Sequence, residues 1–210
     1  MLDRIVLATR NEGKARELSA LLHGVARSVE SLAAHPGVSL PPEVGSTYQE
    51  NALAKARAVN HALGVPALGD DSGLEVDALH GAPGLHSARY AGADARAGAD
   101  TKAGMSGRSS DAAKIERLLR ELAGVPEERR TARFRCALVL VRGPGEEVAV
   151  EGVCEGRILD APSGEGGFGF DPVFLPEGQS RSFADLPPDV KNAISHRARA
   201  ARAFLLRLGS

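Results

Sequence analysis

Two neighbouring carboxylates, Asp70 and Asp71, close the short apolar run ALGDD at residues 67–71. Adjacent acids repel, so a fold with no use for that charge tends to separate them. At a strand end, such a pair suits a hard divalent cation such as Mg²⁺, which takes carboxylate oxygens and keeps several waters. Glu43, in a preceding proline-rich loop, is a third candidate acid. Ser72-Gly73 reads as a tight turn that lets the backbone approach a ligand. A β-turn carrying solvated aspartates accounts for the same residues.

Three other segments carry residues suited to chemistry. In LATRNEGK (7–14) a strand ends, a polar turn follows and a helix opens. Thr9, Arg10, Asn11, Glu12, Gly13 and Lys14 there would offer backbone amides, a positive helix end and a lysine to an anion. The GxxxxGK[ST] phosphate loop is missing, and an ordinary helix start is the plainer account of this segment alone. GEGGFGFDPVF (164–174) interleaves glycines with rings. Phe168, Gly169, Phe170 and Asp171 suit the clamping of a flat ligand such as a nucleobase, or else the rings plug the core beneath a loop. VKNAISHRARA (190–200) offers Lys191 and two adjacent donors, His196 and Arg197, able to read an oxygen-bearing edge. Arg199 and Arg202 read as a solvated face. Phosphate, metal, ring and donor elements in one chain together describe a nucleoside triphosphate site.

The elements that must position these residues alternate. RIVLAT (4–9) and ARSVES (26–31) read as strands around a helix at 11–24 that Gly24 closes. A second helix starts at Thr47, whose spacing to Glu50 fits a capping box, and ends at Gly64 and Pro66. Short strands are expected at 66–69 and 74–79, either side of the Ser-Gly turn. The Gly-rich stretch 91–110 reads as a loop or insertion, followed by a helix at 111–123. Segments 133–142 and 146–159 form a hairpin turning at Gly143-Pro144-Gly145, and a single helix spans 190–209. The class is α/β with a mixed sheet.

Composition narrows the function. With 210 residues, 43% hydrophobic and 25% charged, the chain is an ordinary globular one. A formal net charge of −1 leaves no broad basic surface for nucleic acid. Aromatics at 4% with no Trp disfavour a stacking platform along a single strand. The two cysteines, Cys136 and Cys154, read as buried reduced thiols, and the six histidines show no metal spacing. No apolar run approaches a bilayer span, so a soluble, cytoplasmic protein without nucleic-acid or membrane partners is expected.

In order along the chain, LATRNEGKARELSALL, TYQENALAKA, GDDSGLEVDALHGAPGLHSARYAG, GGFGFDPVF and KNAISHRARA resemble the inosine triphosphatase family, in bacteria the dITP/XTP pyrophosphatases. The likeness runs over roughly residues 4–207, as one domain of two lobes around a cleft. It implies an elongated α/β fold, usually a homodimer. The implied reaction is Mg²⁺-assisted hydrolysis of ITP, dITP or XTP to the monophosphate and pyrophosphate. By motif, Thr9 to Lys14 would hold the phosphates. Asp71 would be general base and metal ligand, with Glu43 and Asp70 as further metal acids and Ser72 touching substrate. Phe168 to Asp171, Lys191, His196 and Arg197 would form the base end, with His196 and Arg197 donating to a 6-oxo group. Lys14 and Lys55 would offset phosphate charge, Lys55 lying one turn beyond Asn51 on the same helix. Two departures stand out: Phe170 where the family often has Tyr, and a longer stretch around 97–110. Rival readings are a pyrophosphatase for modified pyrimidine or methylated nucleotides, and a nucleotide sensor without turnover.

Overall fold

The computed structural model describes residues 2–91 and 106–209. In chain order the elements are β1 (Leu2–Ala8), α1 (Glu12–Leu21), β2 (Ala26–Ser31), α2 (Tyr48–Leu63), β3 (Ala67–Val76) and α3 (Ser106–Glu121). There follow β4 (Thr131–Gly143), β5 (Glu146–Ile158), β6 (Phe174–Pro176), α4 (Pro188–Ile194) and α5 (His196–Gly209). The strands form one six-stranded sheet in the order β2-β1-β3-β4-β5-β6. β1 runs parallel to β2, with Leu2 opposite Ala26, and parallel to β3, with Val6 opposite Ala67. β5 and β6 are antiparallel, with Gly156 opposite Pro176. Neighbours β4 and β5 are joined by Pro144-Gly145 alone, a connection short enough only for antiparallel strands. The sheet is therefore mixed and the class α/β, as the alternation of elements predicts.

The chain divides into two compact units. Met1–Ser72, Arg135–Val153 and Asn192–Ser210 make the first, Gly73–Phe134 and Cys154–Lys191 the second. In the first unit the sheet is covered on both faces, so β1 reads as a continuous apolar run rather than an alternating one. Ile5 and Leu7 pack with Leu18 of α1, Leu22 just after it, Leu138 of β4 and Phe204 of α5. Val6 and Ala8 point the other way, to Leu32, Val38 and Val59 of α2. β4 divides likewise, Ala137, Val139 and Val141 meeting Ala52 and Ala56 of α2. In the second unit Phe134, Phe174 and Phe183 form a ring cluster with centroids 4.7 to 6.0 Å apart.

The helix starts follow the local chemistry. Asn11 caps α1, its side chain accepting from Lys14 N–H at 2.9 Å. Thr47 caps α2 by accepting from Glu50 N–H at 3.1 Å. Glu50 returns the bond one residue early, to the amide and hydroxyl of Ser46 at 2.7 and 2.9 Å. Gly64, left-handed at φ 65°, closes α2.

Several expectations need correction. α1 ends with Leu22 as its cap, and Gly24 serves the turn into β2 instead. The two short strands at 66–69 and 74–79 are one strand, β3, which runs through Ser72-Gly73 without turning. Gly69 of the same strand serves close packing. There α2 lies so close that an added Cβ would sit 1.9 Å from the Ala52 carbonyl oxygen. The terminal helix is two, α4 and α5, parted at the buried Ser195, whose hydroxyl accepts the Ala198 amide at 3.1 Å and so caps α5. α3 begins at Ser106, earlier than expected, and most of the Gly-rich stretch 91–110 lies outside the described residues. Cys136 and Cys154 are buried free thiols, as expected. No helix among the described residues is long and apolar enough to cross a membrane.

Candidate active site

Because β3 is a straight strand through the acidic pair, its period of two sends Asp70 and Asp71 to opposite faces of the sheet. Asp70 shares the face of Leu68, toward α1 and α5. It is 1% exposed and saturated with donors. One oxygen takes the Lys14 ammonium and the other the Arg197 Nε at 2.9 Å. Cys136 Sγ lies 3.3 Å from that second oxygen. Burial works against the Asp70 charge, but Arg197 and Lys14 outweigh it and hold the carboxyl well below the usual range. For Cys136, burial and then Asp70 push the thiol well up, so it stands as a protonated donor.

Asp71 faces α2, on the side of Gly69. Asn51 Nδ2 donates to one oxygen at 3.0 Å and Lys55 Nζ to the other at 3.1 Å. The same ammonium reaches Glu43 at 2.9 Å, so two carboxylates converge on one cation. The Asn51 carbonyl oxygen meanwhile accepts the Gly45 amide at 2.8 Å, tying the loop of Glu43 to the helix. Burial raises the Asp71 carboxyl above its ordinary range, with Lys55 and Lys14 opposing and Glu43 adding to the rise. Burial likewise works against Lys55, but Asp71 and Glu43 prevail and push its pKa up, so it stays an ammonium.

These contacts test the expected metal acids one by one. Asp71 and Glu43 fit a hard divalent cation, since both already direct an oxygen at the single positive group of Lys55. Asp70 does not fit, because its oxygens face away and are held by Lys14 and Arg197. Among the described residues no group of three or more His, Cys, Asp or Glu converges on one point. The protein's own cations neutralise each member of the acidic pair on its own face.

The segment at 7–14 follows β1 into α1. Thr9 is buried and its hydroxyl accepts the Asn11 amide at 3.1 Å. Arg10 is exposed and donates to the Val38 carbonyl at 2.5 Å, anchoring the proline-rich loop. Asn11 occupies the Lys14 amide, Glu12 is solvent-exposed, and Gly13 is buried. Thr9, Arg10, Asn11 and Glu12 line a surface cavity of about 530 Å³ with Ala15 and Arg16. Arg197, expected as a donor to a base, is 1% exposed. Its guanidinium holds Asp70, Glu17 and Ser72, the last at 3.0 Å. His196, 4% exposed, opens α5, and β5 passes so near that a Cβ on Gly152 would lie 2.1 Å from its carbonyl oxygen.

In the second unit, Asp171 organises the ring-bearing loop. One of its oxygens accepts the Phe168 amide at 2.8 Å and the Lys191 ammonium at 2.5 Å. Lys191 also stands 5.0 Å from the Phe168 ring centre and 5.3 Å from that of Phe183. Phe170 is buried and meets Tyr90 edge-on at 6.2 Å, so of the two rings it is the core plug, while Phe168 is only half-buried. Gly169, at φ 64°, gives its amide to Asp111 at 2.8 Å.

Sequence reading missed Glu17 and the part played by Cys136. Glu17 stands three residues after Lys14 on α1, a spacing that puts both on one helix face and could have flagged it. Nothing in the local sequence places Cys136 beside Asp70, since their strands are 66 residues apart.

Comparison with known proteins agrees over nearly the whole length. The model of the Ham1 family matches residues 5–206. A dITP/XTP pyrophosphatase of Geobacillus kaustophilus is 50% identical over 95% of this chain and 91% of its own length. A HAM1 protein from Coxiella burnetii superposes with a TM-score of 0.80 at 36% identity, covering 100% of this chain and 99% of that one. A nucleoside-triphosphatase / dITP/XTP pyrophosphatase from Mycobacterium abscessus is 42% identical with a TM-score of 0.69, over 96% and 98% of the two chains.

Proposed function

The chain belongs to the Ham1 family, and from that premise we propose that Asp71 is the general base of a nucleoside triphosphate pyrophosphatase. The enzyme is a hydrolase of phosphoric anhydrides. It cuts non-canonical purine triphosphates such as dITP and XTP to the monophosphate and pyrophosphate, which keeps them out of nucleic acid. The observation that carries the assignment of the base is the geometry of a buried carboxylate with Asn51 on one oxygen and Lys55 on the other, where burial also raises its pKa. A base poised nearer neutrality takes a proton more readily, and its two partners hold it in one orientation. Asp71 accepts the proton of a water directed at the α-phosphorus. Lys55 and Lys14 offset the charge of the phosphates.

Asp71 and Glu43 are the residues that would hold Mg²⁺. Bound there, the ion would acidify water and spread the charge of the leaving pyrophosphate. Thr9 to Gly13, through the N-terminal turn of α1, are assigned to the phosphates. Asp70 and Arg197 serve as an internal ion pair that fixes β3 beneath the site and holds Ser72. Phe168, with Gly169, Asp171 and Lys191, is assigned to the purine, and His196 donates to the 6-oxo group that adenine lacks. The protein works in the cytoplasm as a homodimer.

Release of pyrophosphate from XTP, dITP, GTP and ATP with Mg²⁺, by the intact protein and by Asp71→Asn, tests this reading. The expected result is turnover of XTP and dITP well above GTP and ATP, and its loss in the variant. Undiminished turnover by Asp71→Asn would sink the base assignment. Equal use of ATP would sink the donor role of His196.

A further inference from the structure

The polar stripe of α3 has no place in the reaction as described, yet it faces the loop assigned to the purine. Asp111, Lys114, Arg117 and Glu121 recur at spacings of three and four and so share one face of the helix. At one end of the stripe, one Asp111 oxygen accepts the Gly169 amide at 2.8 Å and the other accepts the Lys114 ammonium at 2.9 Å. At the other end, Glu121 accepts the Tyr90 hydroxyl and the Arg117 Nε, while Arg117 donates to the Tyr90 carbonyl at 2.7 Å. The Arg117 guanidinium also lies over the Tyr90 ring at 4.3 Å, and that ring meets Phe170. The stripe therefore grips two consecutive residues of the loop, Gly169 directly and Phe170 through Tyr90. Asp171 takes the preceding amide, that of Phe168. Every amide from Phe168 to Gly169 is thus tied to a carboxylate, which sets where the half-buried Phe168 ring points.

We propose that α3 is the positioning element of the Phe168–Asp171 loop, and that Asp111 is a positioning residue for nucleotide affinity, acting through the Gly169 amide. The proposal rests on the reading that this loop takes the purine. Lys114 holds the other Asp111 oxygen and so orients the carboxylate. The Gly169 amide, in a left-handed residue that other side chains rarely adopt, has a fixed direction for Asp111 to hold. Asp111 touches no reacting atom in this scheme, so its loss acts on binding rather than on chemistry.

The test compares Asp111→Ala with Asp111→Asn, which keeps an oxygen for the Gly169 amide. KM and kcat for XTP are measured beside hydrogen exchange at the Gly169 amide in the nucleotide-free protein. For Asp111→Ala, KM should rise about ten-fold with kcat within about two-fold, the scale of one charge-assisted hydrogen bond. Exchange at Gly169 should quicken. Asp111→Asn should bring both readings most of the way back. An unchanged KM in Asp111→Ala overturns the proposal, as does unchanged exchange, and so does an Asn variant as impaired as the Ala one. Should the intact protein not hydrolyse XTP at all, the proposed function fails separately. Exchange at Gly169 still decides whether Asp111 holds the loop.

Discussion

The two faces of β3 treat neighbouring carboxylates in opposite ways. On one face a single acid, Asp70, is held by two cations, Lys14 and Arg197. On the other a single cation, Lys55, is shared by two acids, Asp71 and Glu43. The first arrangement drives the Asp70 carboxyl well below its usual range, whereas at Asp71 burial prevails and the carboxyl rises. Asp70 is an anion held by two of the protein's own cations, and Asp71 is an anion that burial opposes, which suits it to the role of base proposed for it.

Mutation should break this symmetry in the sequence most visibly at Asp71. Asp71→Asn is expected to lower kcat/KM for XTP by about 10³-fold or more, within the range for loss of a general base. Pyrophosphate release measures it. The same variant should unfold at no lower urea concentration than the parent, because it removes a buried charge whose ionised form the fold disfavours. A clear loss of stability would mean Asp71 is structural after all.

Asp70→Ala should do the reverse and lose stability first. Removing Asp70 takes the carboxylate from half-buried Lys14 and leaves buried Arg197 with Glu17 in place of two acids. Breaking such a buried pair costs about 3–5 kcal/mol, and urea denaturation would read it. Gly69→Ala comes next. An added methyl must push α2 from β3, at about 1–3 kcal/mol for an overpacked contact, and it should also weaken activity, since Asn51 and Lys55 reach Asp71 from that helix. A variant of full activity and stability would show that the strand and helix can part without consequence. Thr47→Ala, which removes the N-cap of α2, should cost only about 1 kcal/mol in the same measurement.

The pH dependence sharpens the contrast further. A carboxyl with a depressed folded pKa contributes stability that is present above its unfolded value, about 3.9, and is lost as pH falls through the folded one. Asp70 should therefore steepen acid unfolding, and Asp70→Asn should flatten the fall in stability below about pH 4. Asp71 has the opposite sign. Its raised folded pKa means the unfavourable charge is relieved as pH falls, so Asp71→Asn should not flatten that limb. Identical acid limbs in the two variants would erase the distinction drawn between the faces.

Much of this was legible in the residues. β2 falls where ARSVES predicts it, α2 starts at Thr47 and stops at Gly64, and the hairpin turns where Gly143-Pro144-Gly145 says it should. These are local matters of capping, left-handed glycine and turn chemistry, which act within a few residues. The motifs also carried the resemblance, and the family match bears it out. The misreadings share one cause. Ser72-Gly73 has the composition of a turn, but it lies inside β3, which is paired within the sheet and continues to Val76. Ser195 looked like one more helical residue, yet its buried hydroxyl starts a new helix.

The sequence by itself determined most of the elements, both ends of α2 and the α/β class. The resemblance already singled out Asp71 as the base; only the tertiary structure decided what holds each of the two adjacent aspartates. A strand alternates its side chains whatever their identity, so the assignment turns on what each face meets. Lys14 and Arg197 come to Asp70 from α1 and α5, Asn51 and Lys55 to Asp71 from α2, and Arg197 lies 127 residues away along the chain from the carboxylate it holds. Charge and burial act through space, and the fold sets those distances.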